Sequence, residues 1–155
     1  MKIFVICTVR NATEEYKKHL YDYVAKLEAE GHQVHLPPRD TNQIDTETGG
    51  FRICKDNMRG ILSADEVHVS YNPAITGTHF DLGVAFALNK KIIIFENMAN
   101  ESTNGKSFQN MLKYWENTCD TCLGGYSHVA HNFDKCPKCG AVFNEENIWK
   151  LSVRK

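Results

Sequence analysis

Residues 67–95 read VHVSYNPAITGTHFDLGVAFALNKKIIIF. Val67-His68-Val69-Ser70 is a short, β-branched run, and Tyr71-Asn72-Pro73-Ala74 is a turn by composition. From Gly77 to Asn89 small and apolar residues stand close together, the make-up of a helix buried against a sheet. Lys91 to Phe95 is a second apolar run. Strand, helix, strand in so few residues is the signature of a parallel crossover.

The same alternation extends upstream. Lys2 to Thr8 is apolar with no period-2 pattern, as in a strand covered on both faces. Thr13-Glu14-Glu15 opens a helix with a cap residue and two acids, and Tyr16, Leu20, Tyr23, Val24 and Leu27 follow at helical spacing up to Gly31. Gln33 to Leu36 predicts a second strand, stopped by Pro37-Pro38, and Arg39 to Gly50 predicts a long polar loop. Phe51, Cys54, Met58, Ile61 and Leu62 predict the apolar side of a further helix, with Asp56 turned to solvent. The fold class implied is α/β, a doubly wound, flavodoxin-like parallel sheet whose ligand site lies at the carboxyl ends of the strands.

The chain has 155 residues and a net charge of −1, which suits one core with a small appendage and excludes a basic coat for nucleic acid. No run approaches a membrane span, and the short start Met1–Cys7 lacks the features of a signal peptide, so the expected location is the cytoplasm. Phe108, Met111, Leu112 and Trp115 mark another short helix, after which the composition changes. This places an α/β domain over residues 1–117 and an appendage over 118–155.

Cys119, Cys122, Cys136 and Cys139 form two C-x-x-C pairs separated by thirteen residues. Each pair offers two sulfurs from one tight turn, the pattern of a zinc ribbon with a tetrahedral, structural Zn²⁺ and no open position for water. His128 and His131 lie between the pairs and read as surface residues, while Cys7 and Cys54 read as core. Residues 114–155 carry five basic and five acidic side chains, so the ribbon suits a lid or dimer contact better than nucleic acid.

Three stretches then act together: Ile6-Cys7-Thr8-Val9-Arg10-Asn11, the segment from Asn57 through Asp65 to Val69, and Gly77-Thr78-His79-Phe80-Asp81-Leu82-Gly83. In order and spacing they resemble the nucleoside 2-deoxyribosyltransferases and the related 2'-deoxynucleoside 5'-phosphate N-hydrolases, over roughly residues 2–95. The resemblance implies glycosidic chemistry through a carboxylate nucleophile, and Asp81 stands where the family carries Glu. It also implies a second carboxylate eight residues before Asp65, where this chain has Asn57, which cannot act as an acid.

Thr8, Arg10 and Asn11 stand where phosphate-using relatives hold a 5'-phosphate, and the amides of Thr76, Gly77 and Thr78, placed just before the helix of Asp81, suit an anion. The helix dipole is expected to keep Asp81 ionised. Asp65 reads as structural and His79 as solvated. The resemblance further implies a small nucleotide or nucleoside partner and a homo-oligomer. The alternative is a nucleotide-binding protein with little or no turnover, its ribbon serving as an interface.

Overall fold

The computed structural model describes residues 1–98 and 107–117. Its elements are β1 (Lys2–Ile6), α1 (Glu14–Ala29), β2 (Gln33–His35), α2 (Pro37–Asp40), α3 (Phe51–Ser63), β3 (Glu66–Tyr71), α4 (Thr76–Ala87), β4 (Lys91–Asn97) and α5 (Phe108–Asn117). The chain divides into two compact units, Met1–Glu101 and Ser102–Lys155, so α5 belongs to the second. The ribbon cysteines Cys119, Cys122, Cys136 and Cys139 lie outside the described residues. Among the described residues no helix is long and apolar enough to cross a membrane.

In the first unit four strands form one sheet in the order β2-β1-β3-β4, every pair parallel. The order reverses direction between β1 and β3, and such a switch point opens a crevice at the carboxyl ends of those two strands. All six residues of β3 are buried, the polar Glu66, His68 and Ser70 included, as the central position of the strand dictates.

Helix α1 starts where the sequence predicts. Thr13 caps it by accepting the Tyr16 N–H at 3.2 Å. It ends in a Schellman arrangement in which His32 N–H reaches Leu27 and Gly31 N–H reaches Glu28, with Gly31 at φ +88°. Tyr16, Leu20, Val24 and Leu27 pack with Ile3, Val5, Cys7, Val34 and Leu36 on one face of the sheet. A polar group lies inside as well. Glu66 accepts from Lys91 at 2.6 Å and lies 3.4 Å from His68, whose other ring nitrogen meets the Tyr23 hydroxyl at 2.7 Å. The hydrogen bond to His68 and the Lys91 ammonium hold the Glu66 carboxyl down to about 2 against the opposing effect of burial.

Local details depart from the sequence reading. Pro37-Pro38 begin α2 instead of merely stopping β2, since proline suits the first helical positions. The polar loop before α3 is tied down: the Asp45 carboxylate accepts from the backbone of Thr48 and Gly50, and Arg52 donates to the carbonyls of Asn42 and Ile44. On α3 the predicted apolar face is rotated. Of that face Ile61 is buried as predicted, but Phe51 is 66% exposed and Leu62 56%, and the polar Asn57 is buried instead.

Gly60 explains the rotation. A Cβ there would stand 2.6 Å from the Phe4 ring, which is fully buried and stacks on His35 at 5.0 Å. Only glycine lets α3 approach β1 so closely, and that approach turns Asn57 inward. Gly60→Ala gains about 1 kcal/mol of helix propensity, and overpacking against an immobile ring costs about 1–3 kcal/mol. We expect a net loss of stability, read as a lower urea midpoint with an unchanged slope.

Candidate active site at the strand ends

The carboxyl edge of the sheet is built from three strand ends joined by hydrogen bonds. The buried Tyr16 hydroxyl accepts the Thr8 N–H at 3.0 Å and donates to Ser70 Oγ at 2.9 Å. Ser70 in turn donates to Glu96 at 2.5 Å. The segment leaving β1 is thus fixed to β3 and β4 by side chains that the sequence reading did not single out. From its helical spacing alone Tyr16 is one apolar contact of α1.

Asp81 lies in the second turn of α4, where Asn57 Nδ2 of α3 donates to its Oδ2 at 3.0 Å. The Cys7 thiol, at the end of β1, is pushed up to about 12 by burial and secondarily by the negative charge of Asp81, so it is a neutral neighbour. The Asp81 carboxyl is pushed up to about 6 by burial, against the opposing pull of the Asn57 hydrogen bond. Desolvation thus outweighs the donor, and the group lies in the second turn, where the influence of the helix dipole has faded.

Thr76, Gly77 and Thr78 form the first turn of α4 itself, preceded by Ile75, which caps nothing with its side chain. Their N–H groups therefore keep the open, anion-favouring character of a helix start. Arg10 and Asn11 are exposed, with Asn11 in the left-handed region at φ +58°, and stand outside the hydrogen-bonded set around Asp81. The hydroxyls of Thr8 and Thr78 are buried without a hydrogen-bond partner among the described residues.

His79 is not a solvated side chain. Its Nδ1 meets the Ile75 carbonyl at 3.0 Å and its Nε2 the Tyr71 hydroxyl at 3.1 Å, so the ring ties α4 to the end of β3. Asp65 accepts the Lys2 N–H at 2.7 Å and is structural, as its position before the strand suggests. Asp56 pairs with Arg52 and Arg59 on the outer side of α3. A concavity of about 390 Å³ lined by Lys2, Gln33, Arg39 and Ser63 lies at the amino ends of the strands, on the opposite edge from Asp81. Among the described residues no cluster of His, Cys, Asp and Glu has the make-up of a metal site.

A parallel α/β sheet with a switch point and a partly desolvated carboxylate beside it is the arrangement at which proteins of the doubly wound class hold small molecules. The sequence matches the nucleoside 2-deoxyribosyltransferase family over residues 8–134, and the chain belongs to that family. The match runs past residue 95, where the sequence reading ended the resemblance, and takes in Cys119 and Cys122.

Among solved structures the chain is similar to a 2-deoxyribosyltransferase from Bacillus psychrosaccharolyticus, at 24% identity and TM-score 0.54, covering 81% of this chain and 98% of that one. It is also similar to a 2-deoxyribosyltransferase from Leishmania mexicana, at 16% identity and TM-score 0.50, over 97% and 95% of the two chains. These two likenesses show a shared fold. A CMP N-glycosidase from Clostridium botulinum aligns at 22% identity and TM-score 0.47, over 67% of this chain and 75% of that one. Comparison with curated proteins finds no match.

The raised Asp81 carboxyl has a cost that depends on pH. Below pH 3.8 the group is protonated folded and unfolded alike; between 3.8 and about 6 the unfolded chain gives up the proton while the folded chain keeps it, so stability falls across that window and levels off above it. Asp81→Asn removes that cost. It is expected to stabilise the protein by about 2 kcal/mol at pH 8, after discounting for partial exposure, and by little at pH 4. Chemical denaturation at the two pH values reads the difference.

Asn57→Asp places a second carboxyl against the first. The pair is expected to titrate with one midpoint well above that of Asp81 in the wild type, as followed by carboxyl ¹³C resonances.

Proposed function

We propose that this protein cleaves or transfers at the N-glycosidic bond of a nucleoside 5'-monophosphate or related nucleoside, with Asp81 as the nucleophile. The observation that carries the reading is the Asp81 carboxylate, desolvated at the ligand edge and held through Oδ2 by a neutral amide donor. Oδ1 is left to attack. Its bond to C1' forms as the C1'–N bond breaks through an oxocarbenium-like state, and the base departs with the electron pair and takes a proton from water. Water, or a second base in transfer, then attacks C1', releasing the carboxylate, and the incoming group gives its proton to solvent.

Asn57 in this reading orients Asp81 and favours its ionised form; it supplies no proton. Arg10 with Thr8 and Asn11 holds the 5'-phosphate, for which a guanidinium is the planar donor, and the amides of Thr76, Gly77 and Thr78 add their share. Cys119, Cys122, Cys136 and Cys139 hold one structural zinc. Assembly as a homo-oligomer belongs to the same reading.

A second reading has its own support. With Asn at position 57, no second carboxyl is hydrogen-bonded to Asp81 among the described residues, so no acid stands ready for the leaving base. Such a site suits a nucleotide-binding protein that turns over slowly or not at all, with the cysteine-rich segment as its interface.

Chromatography of free base after incubation with nucleosides and their 5'-monophosphates separates the two. The enzyme reading expects release that Asp81→Asn lowers by about 10³-fold or more and that falls as pH drops through about 6. Arg10→Ala is expected to raise KM about 10- to 100-fold for monophosphates while leaving nucleosides little changed. Binding without release by the wild type supports the second reading. Elemental analysis is expected to find one zinc per full-length chain, lost on Cys136→Ser; a metal-free wild type overturns that assignment.

A further inference from the structure

An asparagine beside a carboxylate helps only in one orientation. Turned one way it presents an N–H to Asp81; turned the other it presents a carbonyl oxygen, acceptor against acceptor. Asn57 is buried, so water cannot readily make good the wrong choice. What stands on the far side of its amide therefore decides what Asp81 meets.

On that side lies Thr41, a buried residue between α2 and α3 that no sequence motif marks. Its Oγ1 is 3.3 Å from Asn57 Oδ1 and 2.9 Å from His35 Nε2 at the end of β2. The donors can all point one way along this line. His35 Nε2–H gives to Thr41 Oγ1, the Thr41 hydroxyl gives to Asn57 Oδ1, and Asn57 Nδ2–H gives to Asp81 Oδ2. The reverse polarity sets the Asn57 carbonyl against the carboxylate, and so it requires Asp81 to be protonated.

We infer that Thr41 is a positioning residue: its hydroxyl, itself oriented by His35, fixes the Asn57 carboxamide so that it turns an N–H toward Asp81. That Asp81 is the reacting group rests on the function proposed above; the orientation does not.

The groups around the line are few. His35 packs on the Phe4 ring. Burial holds its imidazole below the ordinary value, with Asp40 and Asp56 pulling it up and Arg39 adding to the lowering, so it is neutral at pH 7. Asp81 faces Asn57 from α3 and the neutral Cys7 thiol from β1.

The test is direct titration of Asp81 by its carboxyl ¹³C resonance in the full-length protein, assigned with Asp81→Asn. The wild-type midpoint is expected near 6. Thr41→Val keeps the shape and removes the hydroxyl, freeing the amide to turn; the midpoint is expected to rise by about one pH unit, the scale of a lost hydrogen bond to an ionised group. Thr41→Ser restores the donor and should titrate like the wild type. A folded Thr41→Val protein with an unmoved midpoint overturns the inference.

A second measurement needs no variant. Imidazole ¹⁵N spectra of the wild type at pH 8 are expected to show His35 with its proton on Nε2, and a proton on Nδ1 would equally overturn it. Should Thr41→Val fail to fold, the tautomer decides. Neither reading depends on turnover: if no base is ever released, the proposed reaction fails while the midpoint shift and tautomer still judge the role of Thr41.

Discussion

The hydrogen bond from Asn57 to Asp81 is the contact on which the site depends, because it joins two helices that each owe their position to the sheet. Helix α3 reaches it through the missing side chain at Gly60, seated on the Phe4 ring. Helix α4 reaches it from a start fixed by His79, which bonds both the Ile75 carbonyl and the Tyr71 hydroxyl. Moving either helix outward by the width of a methyl group would break the contact and leave a buried carboxylate without its donor.

That carboxylate is placed where it costs stability. Burial at a sheet edge lifts its pKa, and a fold selected for stability alone would put an apolar residue there. The surrounding chain offsets the cost with well-formed ends. Besides the Schellman end of α1, α4 closes with Asn89 in the left-handed region, and Lys90 donates to the carbonyls of Leu62 and Ala64 at the end of α3. The cost is thus concentrated at one residue, Asp81.

Polar residues inside this protein fall into two groups with different work. The Glu66, His68, Lys91 and Tyr23 group is internally neutralised and lies toward the amino ends of the central strands. The groups at the carboxyl ends are arranged instead around the crevice: Tyr16, Ser70 and Glu96 tie the strand ends together, while Thr41, Asn57 and Asp81 converge from the segments between strands. Opposite edges of one sheet separate the two, as the loops at the carboxyl ends of parallel strands are free to vary.

The parallel sheet, its helices and the cap at Thr13 were legible in the sequence because hydrophobic period and end signals are local properties of the chain. Asp81, Asn57 and the segment after β1 were legible as a motif in a fixed order, and the family match over residues 8–134 agrees with that resemblance. Which face of α3 turns inward was not legible: apolar count favoured Phe51 and Leu62, and the decision came from the close approach at Gly60, a contact with a strand nearly sixty residues earlier in sequence. Nor did the sequence show that Asp81 would be desolvated, or that Thr41 and His35 would stand behind Asn57. Each of these depends on the distance between elements far apart in the chain, and only tertiary packing sets that distance.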